Sequence, residues 1–245
     1  MEQRQTGRVS FEKNIQSMII GGFQKFSLID YPERISCIVF TQGCNFRCPY
    51  CHNPELIPFM PLMKIKEETI LSFLEKRKGK IDAVVITGGE PTMQQDLLKF
   101  IQKIKEMGYL IKLDTNGSNP KMLEIIINHS LVDYIAMDIK APLEKYKEVT
   151  HSVISPERIK RSIRMIMNSN IKYEFRTTVV KSQLTKEDII SIGKLIKGAE
   201  LYVLQRFNPS KTLNPDFLNE KTYSNEEFRT LKRELEKFVC KCLVR

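Results

Sequence analysis

Short apolar runs alternate with longer amphipathic segments along most of this 245-residue chain. Each of six runs rich in β-branched residues is followed by a segment of helical periodicity, which predicts six strand–helix units. Parallel strands need crossover connections, usually helices, so strict alternation predicts a parallel sheet with helices outside it. Six units fall short of the eight of a closed barrel. The predicted strands are 36–40, 83–87, 110–114, 134–138, 172–180 and 201–205, and the predicted helices are 66–78, 94–107, 120–128, 156–168, 186–196 and 226–239.

Composition narrows the class of protein. With 42% hydrophobic and 28% charged residues, the chain reads as a soluble globular protein. No apolar run approaches the roughly 20 residues that cross a bilayer. The first residues lack the apolar stretch of a secretory signal, so we expect a cytoplasmic protein. Without linkers or repeats, residues 21–245 are predicted to form one domain, after an extension, residues 1–20, of unknown role.

Polar residues follow five of the predicted strands. The carboxyl ends of strands are where parallel α/β folds build their sites. Glycine and asparagine there are also ordinary turn residues, but charged and metal-binding groups at five strand ends together indicate a functional site. No G-x-G-x-x-G or phosphate-loop motif accompanies them. The segments are TQGC (41–44), TGGEP (87–91), DTNG (114–117), DIK (138–140) and QRFNP (205–209).

Three cysteines lie in one short loop with the spacing C-x3-C-x2-C: Cys44, Cys48 and Cys51. In a reducing cytosol, cysteines are metal ligands, catalytic groups or buried thiols more often than disulfides. Three thiolates this close can bind different irons of one cubane and leave its fourth iron to a non-protein ligand. Structural zinc wants four closed ligands, and His52, adjacent to Cys51, can rarely reach the same ion. The loop therefore predicts a [4Fe–4S] cluster. The remaining cysteines, expected to be a buried thiol and two incidental residues, are Cys37, Cys240 and Cys242.

With Tyr50 before its third cysteine, this loop resembles the signature of radical S-adenosylmethionine (SAM) enzymes, and it follows the first strand as in that family. TGGEP resembles the family's second motif, which holds the SAM amino group. The family's partial (β/α)6 TIM-like barrel matches the six predicted units. Segments that resemble activating enzymes of glycyl-radical enzymes, and among them the activating proteins of anaerobic ribonucleoside-triphosphate reductase, are GFQKFSLIDYP (22–32), FTQGCNFRCPYCHNP (40–54), DTNG and MDIK (137–140).

This resemblance spans nearly the whole chain from about residue 21, although the extra ferredoxin-like cysteines of some activases are missing. It implies an activase that reductively cleaves SAM at the cluster to a 5′-deoxyadenosyl radical and installs a glycyl radical on a partner enzyme. The implied partner is anaerobic ribonucleoside-triphosphate reductase, with flavodoxin or ferredoxin as electron donor. Two alternatives stay open: a radical SAM enzyme acting on a small molecule, such as a 7-deazaguanine synthase, and a nucleic-acid-binding protein. The second rests only on the net charge of +10, and the basic residues form no block.

The resemblance also implies residues that face SAM. Gly88 and Gly89 would expose backbone to it, and Glu90 would offer a carboxylate to its ammonium group. Asn53, directly after the cluster loop, could hydrogen-bond SAM or serve only as a loop residue. Asn116 belongs to the same predicted set.

Charged residues complete the predicted site. Asp114, Thr115 and Asp138 would hold a monovalent cation beside SAM, since oxygen ligands suit a hard cation; alternatively, Asp114 caps a turn. Lys140 would lie near the SAM carboxylate. Arg176 interrupts an apolar strand and needs an anionic partner. That partner is either the SAM carboxylate or an ion pair within the protein, with Glu90 or Asp138.

Overall fold

A computed structural model describes residues 18–60 and 64–245. Its centre is one sheet of eight strands in sequential order, with the first strand antiparallel to the second and all later neighbours parallel. No pairing joins the first to the last strand within the described residues, so the sheet is open. The strands are β1 (Ile20–Ser27), β2 (Ser36–Thr41), β3 (Ala83–Gly88), β4 (Leu110–Thr115), β5 (Tyr134–Asp138), β6 (Lys172–Val179), β7 (Tyr202–Arg206) and β8 (Cys242–Val244).

Helices connect the parallel strands and pack on one face of the sheet, where they bury leucine, isoleucine and phenylalanine side chains against it. The six predicted strand–helix units correspond to β2 through β7, so the predicted partial (β/α)6 barrel is confirmed. No helix among the described residues is long and apolar enough to span a membrane. The helices are α1 (Glu67–Lys76), α2 (Leu97–Glu106), α3 (Pro120–Asn128), α4 (Tyr146–Thr150), α5 (Pro156–Met167), α6 (Lys186–Leu195) and α7 (Asn225–Leu235).

Two strands were not predicted. β1 is an edge strand that contains Gly21 and Gly22 and buries little of its middle, so it lacks a strong strand pattern. β8 is only three residues long. Residues 1–17 of the predicted extension lie outside the described residues, and the domain boundary stays a prediction.

The face of the sheet opposite the helices changes from apolar to charged along the strands. Near the strand starts it is apolar, with Ile38, Val85 and Tyr134 packed around Tyr31 of the β1–β2 connection. Towards the carboxyl ends, β4, β5 and β6 place charged side chains on this face, in alternation with apolar residues that contact the helices. This pleat alternation brings charged groups to the open end of the barrel.

Candidate active site

A cavity of about 200 Å³ opens at the carboxyl ends of the parallel strands. All but one of the predicted site residues line it. The exception is Arg176, which contacts two of them, Asp114 and Asp138, from below. The predicted residues in the cavity wall are Cys44, Cys48, Cys51, Asn53, Gly88, Gly89, Glu90, Asp114, Thr115, Asn116, Asp138 and Lys140.

Backbone contacts hold the cysteine loop against the end of β3. The amide of Gly89 donates to the carbonyl of Thr41 (2.8 Å), and the amide of Glu90 donates to the carbonyl of Gly43 (2.8 Å). A Cβ on Gly89 would lie 2.1 Å from the Gly43 oxygen, and Gly88 has φ +110°, which side chains other than hydrogen rarely allow. The two glycines of TGGEP are therefore needed for the close approach of these segments.

The three loop cysteines share one environment, and the other three do not. Burial raises the pKa of Cys44 to about 12 and that of Cys48 to about 11, and it raises the pKa of Cys51 as well. As free thiols they would keep their protons at neutral pH, whereas coordination to a metal deprotonates a thiol. The other three cysteines lie outside the cavity wall: Cys37 and Cys242 are buried, and Cys240 is exposed.

The donor set of the cavity fits an iron–sulfur cluster with a polar ligand beside it. Among the described residues, no three Cys, His, Asp or Glu side chains converge on one single-ion position; a cubane takes each thiolate on a different iron. The hydroxyl of Tyr50 is buried in the cavity wall and faces the thiol of Cys48, with no oxygen or nitrogen acceptor for it among the described residues. A thiol is a weak hydrogen-bond partner, so this hydroxyl suits a site that a polar ligand completes.

The side chain of Glu90 joins the segment after β3 to the end of β4. Its side chain is 1% exposed. Oε1 accepts from the amide (3.1 Å) and hydroxyl of Thr92 and from the hydroxyl of Thr115 (2.7 Å), while Oε2 accepts from the amide of Asn116 (2.6 Å). A carboxylate offers about four lone-pair sites, so Oε2 retains acceptor capacity for a ligand. Burial raises the pKa of Glu90 although these hydrogen bonds oppose the shift.

Asn45, which sequence reasoning missed, ties the cysteine loop to the loop after β4. Its Nδ2 donates to Ser118 Oγ (2.9 Å), and its Oδ1 accepts from Asn116 Nδ2 (3.0 Å). Asn116 therefore contacts both Glu90 and the cysteine loop. Neither partner lies near Asn45 in sequence, so no local pattern indicates this contact.

Two carboxylates and three cations form a network under the cavity. Arg176 donates from Nε to Asp138 (2.8 Å) and from Nη1 to Asp114 (3.2 Å), which realises the predicted ion pair with Asp138. Lys140 donates to Asp138 (3.0 Å), and Lys112 donates to Asp114. Although burial acts in the opposite direction, Arg176 together with these lysines lowers the pKa of both carboxyl groups below their ordinary values.

The loop after β7 covers the last part of the cysteine loop. His52 Nδ1 lies 3.0 Å from the carbonyl oxygen of Lys211, and the His52 ring stacks on Phe207 at 5.5 Å between centroids. The amide of Asn214 donates to the carbonyl of Pro49 (2.9 Å). His52 thus lines the cavity while being held by this loop.

Comparison with known proteins identifies the family model and the enzymes that this sequence resembles. The model of the radical SAM superfamily matches residues 38–196. The "Putative glycyl-radical enzyme activating enzyme" of Methanocaldococcus jannaschii is 35% identical over 93% of this chain and 95% of its own length. The pyruvate formate-lyase-activating enzyme of Clostridium pasteurianum is 30% identical over 73% of this chain and 76% of its own. The 7-carboxy-7-deazaguanine synthase of Thermococcus kodakarensis is 27% identical over 68% and 72%, respectively.

Solved structures share the fold at low sequence identity. SuiB of Streptococcus suis, solved with S-adenosylmethionine, superposes with a TM-score of 0.64 at 14% identity over 83% of this chain, which spans about half (48%) of SuiB. QueE of Escherichia coli superposes with a TM-score of 0.57 at 14% identity and covers 93% of both chains. Because the family model spans most of the chain and its motif segments meet in one cavity, the chain belongs to the radical SAM superfamily.

Proposed function

We propose that this protein is a radical SAM activase that installs a glycyl radical on a partner enzyme, with anaerobic ribonucleoside-triphosphate reductase as the expected partner. Membership of the superfamily implies a [4Fe–4S] cluster and SAM. The observation that carries the proposal is the gathering of the cysteine loop, the Gly-Gly-Glu segment and the charged strand ends in one cavity. Similarity to an activating-enzyme relative over nearly its entire length directs the choice within the superfamily.

Each group of residues has a distinct task in this proposal. Cys44, Cys48 and Cys51 would hold three irons and leave the fourth to the amino and carboxylate groups of SAM. When bound, the cluster and SAM supply reductive cleavage of the sulfonium C–S bond, which yields methionine and a 5′-deoxyadenosyl radical able to take a hydrogen atom from a glycine Cα. Glu90 offers its remaining acceptor capacity to the SAM ammonium, and Lys140 offers positive charge to the SAM carboxylate.

The protein's other contribution is to exclude water and position the reactants. The cysteines are largely buried, and His52 and Phe207 stack beside them. The sequence predicts a monovalent cation beside SAM, with Asp114, Thr115 and Asp138 as its ligands. The two carboxylates already accept hydrogen bonds from protein cations.

Electron paramagnetic resonance spectroscopy under anaerobic conditions tests the proposal directly, without a spin trap. Reconstituted protein, SAM and a one-electron reductant are incubated with the anaerobic reductase of the same organism. We expect the doublet of a stable glycyl radical, with one SAM consumed per radical. Cys48→Ala is the negative control because it removes a cluster ligand, and Cys240→Ser, which changes an exposed cysteine outside the cavity, should retain the signal.

Other outcomes assign a different function. A signal with another glycyl-radical enzyme, and none with the reductase, would replace the proposed partner. The small-molecule alternative is favoured by the similarity to a 7-carboxy-7-deazaguanine synthase. Rapid SAM-dependent conversion of a small heterocycle, without a glycyl radical on any partner, would establish that alternative and contradict the activase.

A further inference from the structure

Lys112 is a buried lysine in the middle of β4. It is 2% exposed, and its sequence neighbours Ile111 and Leu113 belong to the core that the helices cover. The pleat therefore turns Lys112 and Asp114 to the opposite face, towards the cavity end of the barrel. Lysine is almost never fully buried unless it is paired, so its partners define its role.

Lys112 belongs to an unbroken chain of ion pairs. Its ammonium donates to Oδ1 of Asp114, whose Oδ2 accepts from Arg176 at 3.2 Å. Arg176 also donates to Oδ1 of Asp138 at 2.8 Å, and Oδ2 of Asp138 accepts from Lys140 at 3.0 Å. Each of the four carboxylate oxygens thus has a cationic donor supplied by the protein.

This arrangement leaves poor ligands for a metal cation. A hard monovalent cation needs oxygen ligands whose negative charge is not already neutralised, and each oxygen of Asp114 and Asp138 accepts a hydrogen bond from a cationic side chain. Three cationic and two anionic side chains give these ion pairs a net charge of +1, and Glu174, which lies 3.9 Å from Arg176, is balanced by Arg245 at 3.1 Å. A net charge of +1 disfavours another cation and suits a carboxylate ligand. Without Lys112 the net charge would be zero.

We propose that the ammonium of Lys112 is the built-in counter-charge of Asp114, so that this chain binds SAM without a monovalent metal ion beside Asp114 and Asp138. The proposal deepens the function given above and rests on SAM being the ligand of the cavity. Lys112 is a positioning residue, because it does not line the cavity and acts through Asp114 and Arg176.

The test compares potassium chloride with tetramethylammonium chloride at equal ionic strength. Two quantities are measured on the cluster-loaded protein: its melting temperature without SAM, and its SAM dissociation constant by equilibrium dialysis. The wild-type protein should show the same values in both salts. Lys112→Ala should bind SAM at least tenfold more weakly in tetramethylammonium, and potassium should restore much of the loss. Lys112→Arg keeps the charge and should bind within a few-fold of the wild type.

Lys103→Ala is the matched control. It also removes a lysine–carboxylate ion pair, with Glu67 at 2.6 Å, but on an exposed helix surface, so it should behave as the wild type in both salts. Wild-type protein that gains melting temperature or SAM affinity specifically from potassium would overturn the proposal, and this arm holds even if Lys112→Ala does not fold. Unchanged SAM binding by Lys112→Ala in tetramethylammonium would overturn it too. Wild-type protein that fails to bind SAM in both salts would refute the proposed function instead, and the melting comparison would then decide the role of Lys112.

Discussion

Replacement of Glu90 by alanine should destabilise the fold more than the loss of a typical surface carboxylate. Four hydrogen bonds end on this carboxylate, two of them from the backbone amides of Thr92 and Asn116. The hydroxyls of Thr92 and Thr115 can rotate to other acceptors, but the amides cannot. An unsatisfied buried donor costs about 1–3 kcal/mol, so two amides predict a loss of about 2–6 kcal/mol.

The conservative substitution should cost less. Glu90→Gln retains a carbonyl oxygen that can replace Oε1 for the donors from Thr92 and Thr115. Its amide nitrogen then faces the amide of Asn116, which lies 2.6 Å from Oε2 in the wild type, so one donor loses its acceptor. We therefore expect a loss of about 1–3 kcal/mol, about half that of alanine.

Urea unfolding followed by circular dichroism measures these differences. With a slope of about 3 kcal/mol per M urea, the alanine variant should shift the midpoint by roughly 0.7–2 M. Glu106→Ala is the control because Glu106 is exposed and accepts one exposed hydrogen bond, from Gln102; such surface changes stay within about 0.5 kcal/mol. If Glu90→Ala costs less than about 1 kcal/mol at unchanged slope, the hydrogen bonds to Glu90 do not organise the site and the reasoning fails.

Three further predictions concern the cluster, the glycines and pH. Cys48→Ala should lose the roughly four irons and four sulfides of a cubane, measured by metal and sulfide analysis, whereas Cys240→Ser should keep them. Gly89→Ala should destabilise the fold by at least about 1–3 kcal/mol and impair cluster reconstitution, because its Cβ would meet a backbone oxygen at 2.1 Å. The lowered pKa values of Asp114 and Asp138 mean that, below about pH 4, the folded protein binds fewer protons than the unfolded chain. The stabilisation from these two groups should therefore weaken on acidification, and the deficit of Asp138→Asn, less stable than the wild type at pH 7, should begin to shrink as the pH falls below about 4 in the same urea assay.

The sequence predicts most elements because their patterns are local. Strand β5 and helix α3 have the bounds that periodicity indicates, and the other parallel strands and longer helices differ by a few residues at most. β1 and β8 were missed because one is glycine-containing and half-exposed and the other is three residues long. Their place at the two edges of the sheet follows from pairing with distant segments, which no local pattern encodes.

The site residues likewise fall into those that a local sequence pattern indicates and those that it does not. The cysteine spacing and TGGEP lie within short segments, so their chemistry is readable before the fold is known. Lys112 carried the same signal as Arg176, a charged residue at an alternate position of an apolar strand, and the same argument could have found it. The contacts of Asn45 carried no such signal, because its partners lie 71 and 73 residues away.

Those long-range contacts explain why motif residues alone do not make the site. The cysteine loop contacts Asn116 through Asn45, and Asn116 contacts Glu90 through its amide, so one hydrogen-bonded path joins the ends of β2, β3 and β4. All its members are neutral donors or a single buried carboxylate, whereas β4, β5 and β6 are joined below by the ion pairs of Arg176 with Asp114 and Asp138. A substitution that breaks the hydrogen-bonded path should therefore move the cysteine loop. A substitution that breaks the ion pairs of Arg176 should alter the charge presented to a ligand. Because DTNG contributes to both, through Asn116 and Asp114, a substitution in this segment should affect both the cysteine loop and the charge presented to a ligand.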